Sequence, residues 1–263
     1  MFSSEKEIMI KLSPLTALLT MSVVALVCSA RENSATRVPV LLELFTSEGC
    51  SSCPPADRLL QILDDKQPVP GADLIVLSEH VDYWDRLGWK DPFSSPQYSA
   101  RQQDYTNRYN FDGVYTPQLV VDGRYGLVGS DGREASAAIE KAIREHKAPI
   151  AISAVVHNGN QIMARIDLPT DENFKGTRGI LYVAIADNRQ ESRVGRGENG
   201  GRMLAHVAVA RLLKQIGPVD FSAASAHEIA LPVQAGSGNG LRLIAFIQDS
   251  KSGHVLGVTE KKL

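Results

Sequence analysis

The chain has 263 residues, with 28 Lys and Arg against 30 Asp and Glu and a formal net charge of −2. The two signs are interspersed, so no basic face is offered to nucleic acid or to an anionic membrane surface. At 43% hydrophobic and 22% charged residues the composition is that of a globular protein, and the length suggests two domains.

From Leu12 to Val27 the residues are apolar or small, with Lys11 before them and Cys28-Ser29-Ala30 after. This pattern reads as a signal peptide over residues 1–30, cleaved near Ala30. Initiation at Met9 would give it a cleaner positive end. As an uncleaved anchor the stretch is short for a span of about 20 residues, and a lipidated Cys28 would follow a bulky Val27. The mature protein is therefore expected in the periplasm or secreted, with no stable membrane span. Cleavage removes Cys28 and leaves Cys50 and Cys53. A bridge across so short a loop adds little chain-entropy stabilisation, so redox or metal chemistry explains the pair better than a staple does.

Val38 to Phe45 reads as a strand running into Thr46–Cys50. Pro54-Pro55 opens an amphipathic helix with Leu59, Leu60, Ile62 and Leu63 on its apolar face, ended by Pro68, Pro70 and Gly71. Ala72 to Val81 is a second, fully buried strand. An irregular, aromatic-rich stretch, Asp82 to Ser94, leads to a helix that Ser95-Pro96 starts and that runs to Tyr109. Gln118 to Val121 and Tyr125 to Val128 form a hairpin through Asp122-Gly123, and Gly132 to His146 a further helix. Beyond Pro149, strands are expected at Ile150–Val156, Gln161–Leu168, Ile180–Asp187, Glu228–Val233, Leu241–Gln248 and Val255–Glu260. One helix, Leu204–Ile216, interrupts them. The expected division is 38–147 for a mixed α/β domain and 150–263 for a β-sandwich-like domain.

The chemistry concentrates on Cys50-Ser51-Ser52-Cys53, between a strand and a helix. Free backbone N–H groups and the helix dipole stabilise a thiolate there. In such motifs the first cysteine is exposed and attacks, and the second resolves the mixed disulfide. Glu48 opposes thiolate formation, Pro54 and Pro55 remove two N–H donors, and the proline after Cys53 biases it away from helical geometry.

The order of elements, the dithiol after the first strand and Thr116-Pro117 before the third resemble the thioredoxin superfamily. More closely, Glu43–Asp57 (ELFTSEGCSSCPPAD), His80–Phe93, Tyr115–Gly123 and Gly197–Arg202 resemble an uncharacterised bacterial family of secreted thioredoxin-like proteins, classed as a domain of unknown function. The resemblance implies an α/β thioredoxin-like fold followed by a β-rich, sandwich-like second domain. It implies Cys50 as nucleophile, Cys53 as resolving thiol and Pro117 as a cis-proline shaping substrate contact. Thr116 would touch the substrate backbone or tune the dithiol. The chain departs from thioredoxin in having Leu44 where the buried carboxylate belongs, with Glu43 beside it, and Ser51-Ser52 between the cysteines. The redox direction is thus open.

The expected function is thiol–disulfide exchange on an exported protein or a small thiol, with a redox partner protein and no organic cofactor. Two alternatives stand beside it. Cys50, Cys53 and His80 could bind or deliver copper, a metal suited to thiolate and imidazole, against a His80 merely hydrogen-bonded beneath the aromatic stretch. The chain could also be a non-catalytic interaction module. Glu43 is either a proton relay near Cys53 or an edge carboxylate. Tyr83, Trp84 and Trp89 either wall a substrate groove or form a local mini-core. Gly195 to Gly200 fits G-x-G-x-x-G as a string but lacks the βαβ setting, and reads as a mobile glycine-rich loop. It keeps a possible partner or domain-interface role.

Overall fold

The computed structural model describes residues 37–109, 113–158, 160–233 and 240–263. The signal-peptide expectation, at residues 1–30, lies outside them. The near-continuous apolar run VPVLLELFT forms β1 (Val38–Thr46), buried from Val40 onward as a strand covered on both faces must be. A crossover through α1 (Pro54–Lys66) returns the chain to β2 (Ala72–His80). β2 lies parallel to β1, with Val38 opposite Ala72 and Thr46 opposite His80. After α2 (Pro96–Tyr109), β3 (Gln118–Val121) pairs antiparallel with β1 and β4 (Tyr125–Val128) with β3. The turn between them holds Asp122 and Gly123 at φ 50° and 62°, the left-handed conformation this tight hairpin requires. α3 (Gly132–Ala142) follows, its first N–H groups capped by the Asp131 carboxylate.

The remainder is β5 (Ala151–Asn158), β6 (Gln161–Leu168), β7 (Arg178–Arg193), β8 (Met203–Asp220), β9 (Ser225–Pro232), β10 (Leu241–Asp249) and β11 (Val255–Lys262). These strands do not form a separate sandwich. An eight-stranded mixed sheet runs β11-β10-β7-β8-β2-β1-β3-β4, with a three-stranded sheet β5-β6-β9 beside it. The expectation of an α/β thioredoxin-like fold followed by a β-rich domain is therefore corrected. Strands from both sides of Pro149 share one sheet, joined where Val209 of β8 pairs with Ser78 of β2.

The expected helix Leu204–Ile216 is also corrected. It lies within β8, which pairs with β7 from Met203 opposite Arg193 to Asp220 opposite Arg178. Ala, Leu, Lys and Gln favour helix locally, but a long antiparallel partner decides the matter. Alternation then divides the core. Leu181, Val183 and Ile185 of β7 face the three-stranded sheet, among Ile162, Ile166, Leu243 and Ile247. Ala184 and Ala186 face the other way, into a cluster with Leu42, Leu44, Leu60, Ile139 and Phe246.

Glu43 is neither an edge carboxylate nor a neighbour of Cys53. It is fully buried against α2, where Arg101 Nε donates to it at 2.6 Å and the Tyr105 hydroxyl donates as well. The Arg101 guanidinium lies 5.0 to 5.4 Å from the Tyr105, Tyr182 and Phe246 ring centroids. Burial, and then the neighbouring Glu43 charge, push Glu79 well above the usual carboxylate range. Arg101 Nε is the cation these two acids share, 2.6 Å from Glu43 and 3.6 Å from Glu79. Among the described residues no helix is long and apolar enough to cross a membrane.

Candidate functional site

Beyond Thr46 the chain turns through Ser47–Gly49 into the cysteines, which form a disulfide with Cα atoms 5.5 Å apart. A disulfide fits an oxidising compartment. Cys53 occupies the N-cap of α1 in right-handed helical geometry, despite the proline after it. Its carbonyl accepts from the N–H groups of Ala56 and Asp57 at 2.8 and 3.1 Å, so α1 is anchored on the dithiol itself. Thr116-Pro117 is a cis peptide. The Thr116 carbonyl lies 3.8 Å from Cys50 Sγ and accepts from the Ser52 hydroxyl at 3.4 Å, while its own hydroxyl accepts from Trp84 Nε1 at 2.7 Å. The fold thus brings Cys50, Cys53, Thr116 and Pro117 together. The expectation of an exposed Cys50 is corrected, because both cysteines are 0% exposed and Ser51 and Ser52 face solvent instead.

What covers the dithiol comes from far along the chain. In the loop between β7 and β8, fully buried Asn199 donates from Nδ2 to the carbonyls of Glu48 and Cys50 at 2.9 and 2.8 Å. Glu198 accepts from the Ser51 N–H at 3.0 Å. Gly195 packs so closely on Trp89 that a Cβ there would stand 2.9 Å from the ring. The glycine-rich segment, expected to be mobile, is a clasp tied to the cysteine turn. The aromatics belong to the frame. Tyr83 and Trp84 pack on Phe45, Val81 and Tyr105, and Trp89 Nε1 donates to Glu48 at 2.7 Å.

Beneath the cysteine turn lies a buried polar cluster. His80 Nδ1 is 2.7 Å from Asp91 Oδ2, both fully buried, and the same oxygen accepts from the Glu48 N–H at 2.8 Å. Burial raises the Asp91 pKa, but His80 and the N–H groups of Glu48 and Phe93 outweigh it and hold the carboxyl below its usual range. The His80 ring contacts Asp91, Phe93 and the ring of His206, 4.7 Å away. Among the described residues no group of three or more His, Cys, Asp or Glu side chains is placed to hold a metal.

His206, supplied by β8, has Nε2 3.5 Å from Glu48 Oε1 and Nδ1 3.6 Å from Asp57 Oδ1. Glu48 also accepts from the Ser192 hydroxyl, and Asp57 from Thr46 Oγ1 at 3.0 Å. Burial works against charge on the His206 ring, yet Asp57 and then Glu48 hold its pKa up at about 10. The Glu48 charge that appears unopposed in sequence is thus met by an imidazolium. Reading 204–216 as a helix hid His206. Met203, Leu204 and Ala205 before it and Val207 and Ala208 after it are all apolar, so no alternation in the sequence marked His206 as buried.

A strand-to-helix disulfide, clasped by a β-hairpin loop over a buried histidine pair, defines a mixed-sheet disulfide protein. The chain belongs to the family described as protein of unknown function (DUF1223), whose model matches residues 41–248. It is similar to a crystal structure of an Agrobacterium tumefaciens protein, at 25% identity and a TM-score of 0.63, covering 85% of this chain and 94% of that one. It shares its fold with HBP35 of Porphyromonas gingivalis, at 15% identity and a TM-score of 0.62, covering 86% and 76% respectively. No curated protein matches the sequence.

Proposed function

We propose that the protein is an exported thiol–disulfide oxidoreductase working through Cys50 and Cys53. The observation that carries this reading is a disulfide closing a four-residue turn at the start of α1, against the Thr116 carbonyl. So small a loop has little value as a staple. The likeness to thioredoxin-superfamily sites lies in this dithiol and its Thr-Pro neighbour, not in the overall architecture. A leader over residues 1–30, cleaved near Ala30, would deliver the protein to the periplasm or the exterior.

In the oxidised form, a thiolate of an exported protein or small thiol attacks Cys50 Sγ. The Cys50–Cys53 bond breaks, and Cys53 leaves as a thiolate that takes up a proton. A second thiol of the partner then loses its proton and attacks the partner sulfur of the mixed disulfide, releasing Cys50 as thiolate. The partner leaves oxidised and this chain reduced; the same steps in reverse oxidise this chain. Thr116 and Pro117 would receive the substrate chain. Because Ser51, Ser52 and the clasp cover the sulfurs, a partner must displace them to reach Cys50.

The test offers purified mature protein, in each redox form, to a model dithiol and a model disulfide substrate. Exchange by wild type that Cys50→Ser abolishes supports the reading. Wild-type inactivity in both redox forms overturns it.

A further inference from the structure

We propose that His206 is a positioning residue for the dithiol: lying between the Glu48 and Asp57 carboxylates, it offsets part of the field they cast on Cys50 and Cys53, and so tunes how readily the pair is reduced. The proposal rests on the thiol–disulfide reading above.

Both carboxylates are fixed to the cysteine turn. Glu48 stands two residues before Cys50, and the Asp57 N–H donates to the Cys53 carbonyl at 3.1 Å, one helical turn along. Both side chains are at least 95% buried, so water screens them little. Reducing the disulfide and ionising a thiol adds a third negative charge to this dry region. Two unopposed carboxylates would raise the thiol pKa and favour the disulfide. An imidazolium within 3.6 Å of both offsets one of the two charges and lessens that bias.

The groups facing His206 from other elements are Glu48 from the turn after β1, Asp57 from α1, and His80 from β2 with Asp91 behind it. The Phe93 ring stands 6.1 Å away, with Arg211 over it. The Ser192 hydroxyl of β7 donates to Glu48 Oε1, the same oxygen that faces His206. Neither nitrogen of His206 has a hydrogen-bond partner, although the residue is 1% exposed. Each nitrogen faces a carboxylate oxygen, at 3.5 and 3.6 Å. Asp57 also borders a cavity of about 270 Å³, between Pro54, Arg58 and Met203, while His206 and Glu48 lie behind it.

Coupling is reciprocal: if His206 stabilises a thiolate, the thiolate must raise the His206 pKa. The first measurement therefore uses the wild-type protein, following the His206 ring by NMR across pH in the oxidised and reduced forms. A higher titration midpoint in the reduced form is expected, and identical midpoints overturn the proposal. The second measures the pH dependence of Cys50 alkylation and the equilibrium with glutathione. His206→Gln should raise the alkylation midpoint by about one unit and shift the equilibrium about tenfold toward the disulfide. Adding Glu48→Gln should bring both values back, which a merely structural loss would not do. A folded His206→Gln protein within twofold of wild type, or a double variant with no recovery, overturns the proposal. Such results with an active wild-type enzyme refute the role of His206 alone. Inactivity of wild type in both redox forms refutes the underlying reading.

Discussion

Asn199 is the side chain by which a loop from the far half of the sequence holds the cysteine turn. Asn199→Ala deletes both donors of Nδ2 and leaves the carbonyls of Glu48 and Cys50 without that partner. The Cys50 carbonyl still accepts from the Cys53 N–H at 3.2 Å, so only the Glu48 carbonyl is left dry and unpaired, at a cost of about 1–3 kcal/mol. The lost bond from Arg202 to Oδ1 adds little, because Arg202 is exposed and water replaces Asn199 there. In a chain of this size such a loss lowers Tm by roughly 2–12 °C. Asn199→Asp keeps the shape but aims an acceptor at two acceptors, and should be less stable than the alanine variant. Urea denaturation followed by tryptophan fluorescence reads the stability, since Trp84 and Trp89 both flank the site. The rate of disulfide reduction by dithiothreitol reads the clasp directly and should rise in both variants. An alanine variant losing less than about 0.5 kcal/mol, or an aspartate variant as stable as wild type, would refute the clasp.

Gly129→Ala should destabilise the protein by about 1–3 kcal/mol through overpacking. Its Cβ would stand 2.8 Å from Leu44 Cδ1 and 3.1 Å from Pro117 Cβ; an unchanged melting temperature would show that the neighbours yield freely. Stability should also depend on pH at both ends. His206 has a folded pKa of about 10, above the ordinary histidine value. Its contribution is complete below pH ~6.5 and is lost as pH rises toward that folded value. Asp91 is depressed, so its contribution is present above the ordinary carboxylate pKa and is lost as pH falls below about 4. Denaturant midpoints measured across this range should fall on both sides, and a flat profile on the alkaline side would contradict the His206 assignment.

The parts of the site built by neighbouring residues were legible in the sequence. The Cys50–Cys53 turn follows an apolar run and precedes a proline-started helix, and Thr116-Pro117 stands before a strand whose hairpin Asp122-Gly123 announces. The parts built by distant residues were not. Membership of β8 in the same sheet as β2 depends on a contact between Val209 and Ser78 that no local pattern encodes. His206 is hidden with it, because 204–216 holds helix formers and the apolar residues on both sides of His206 show no alternation. Burial of Cys50 was hidden for a related reason. Its cover is a loop about 150 positions away, tied by an amide whose partners are backbone carbonyls. Those acceptors are common to every residue type.

The trio of Glu43, Glu79 and Arg101 has a consequence for how such sequences can diverge. One guanidinium and two acids share a buried space, so no member is lost alone without stranding another. Losing Arg101 leaves both acids without their cation, and losing Glu43 leaves Arg101 with Glu79 alone, 3.6 Å away. Among relatives, positions 43 and 101 should therefore switch to neutral residues as a pair, through an intermediate less stable than either end. Lineages that keep one partner are held to the other. This ties α2 to β1 by inheritance as firmly as the ion pair ties them in space.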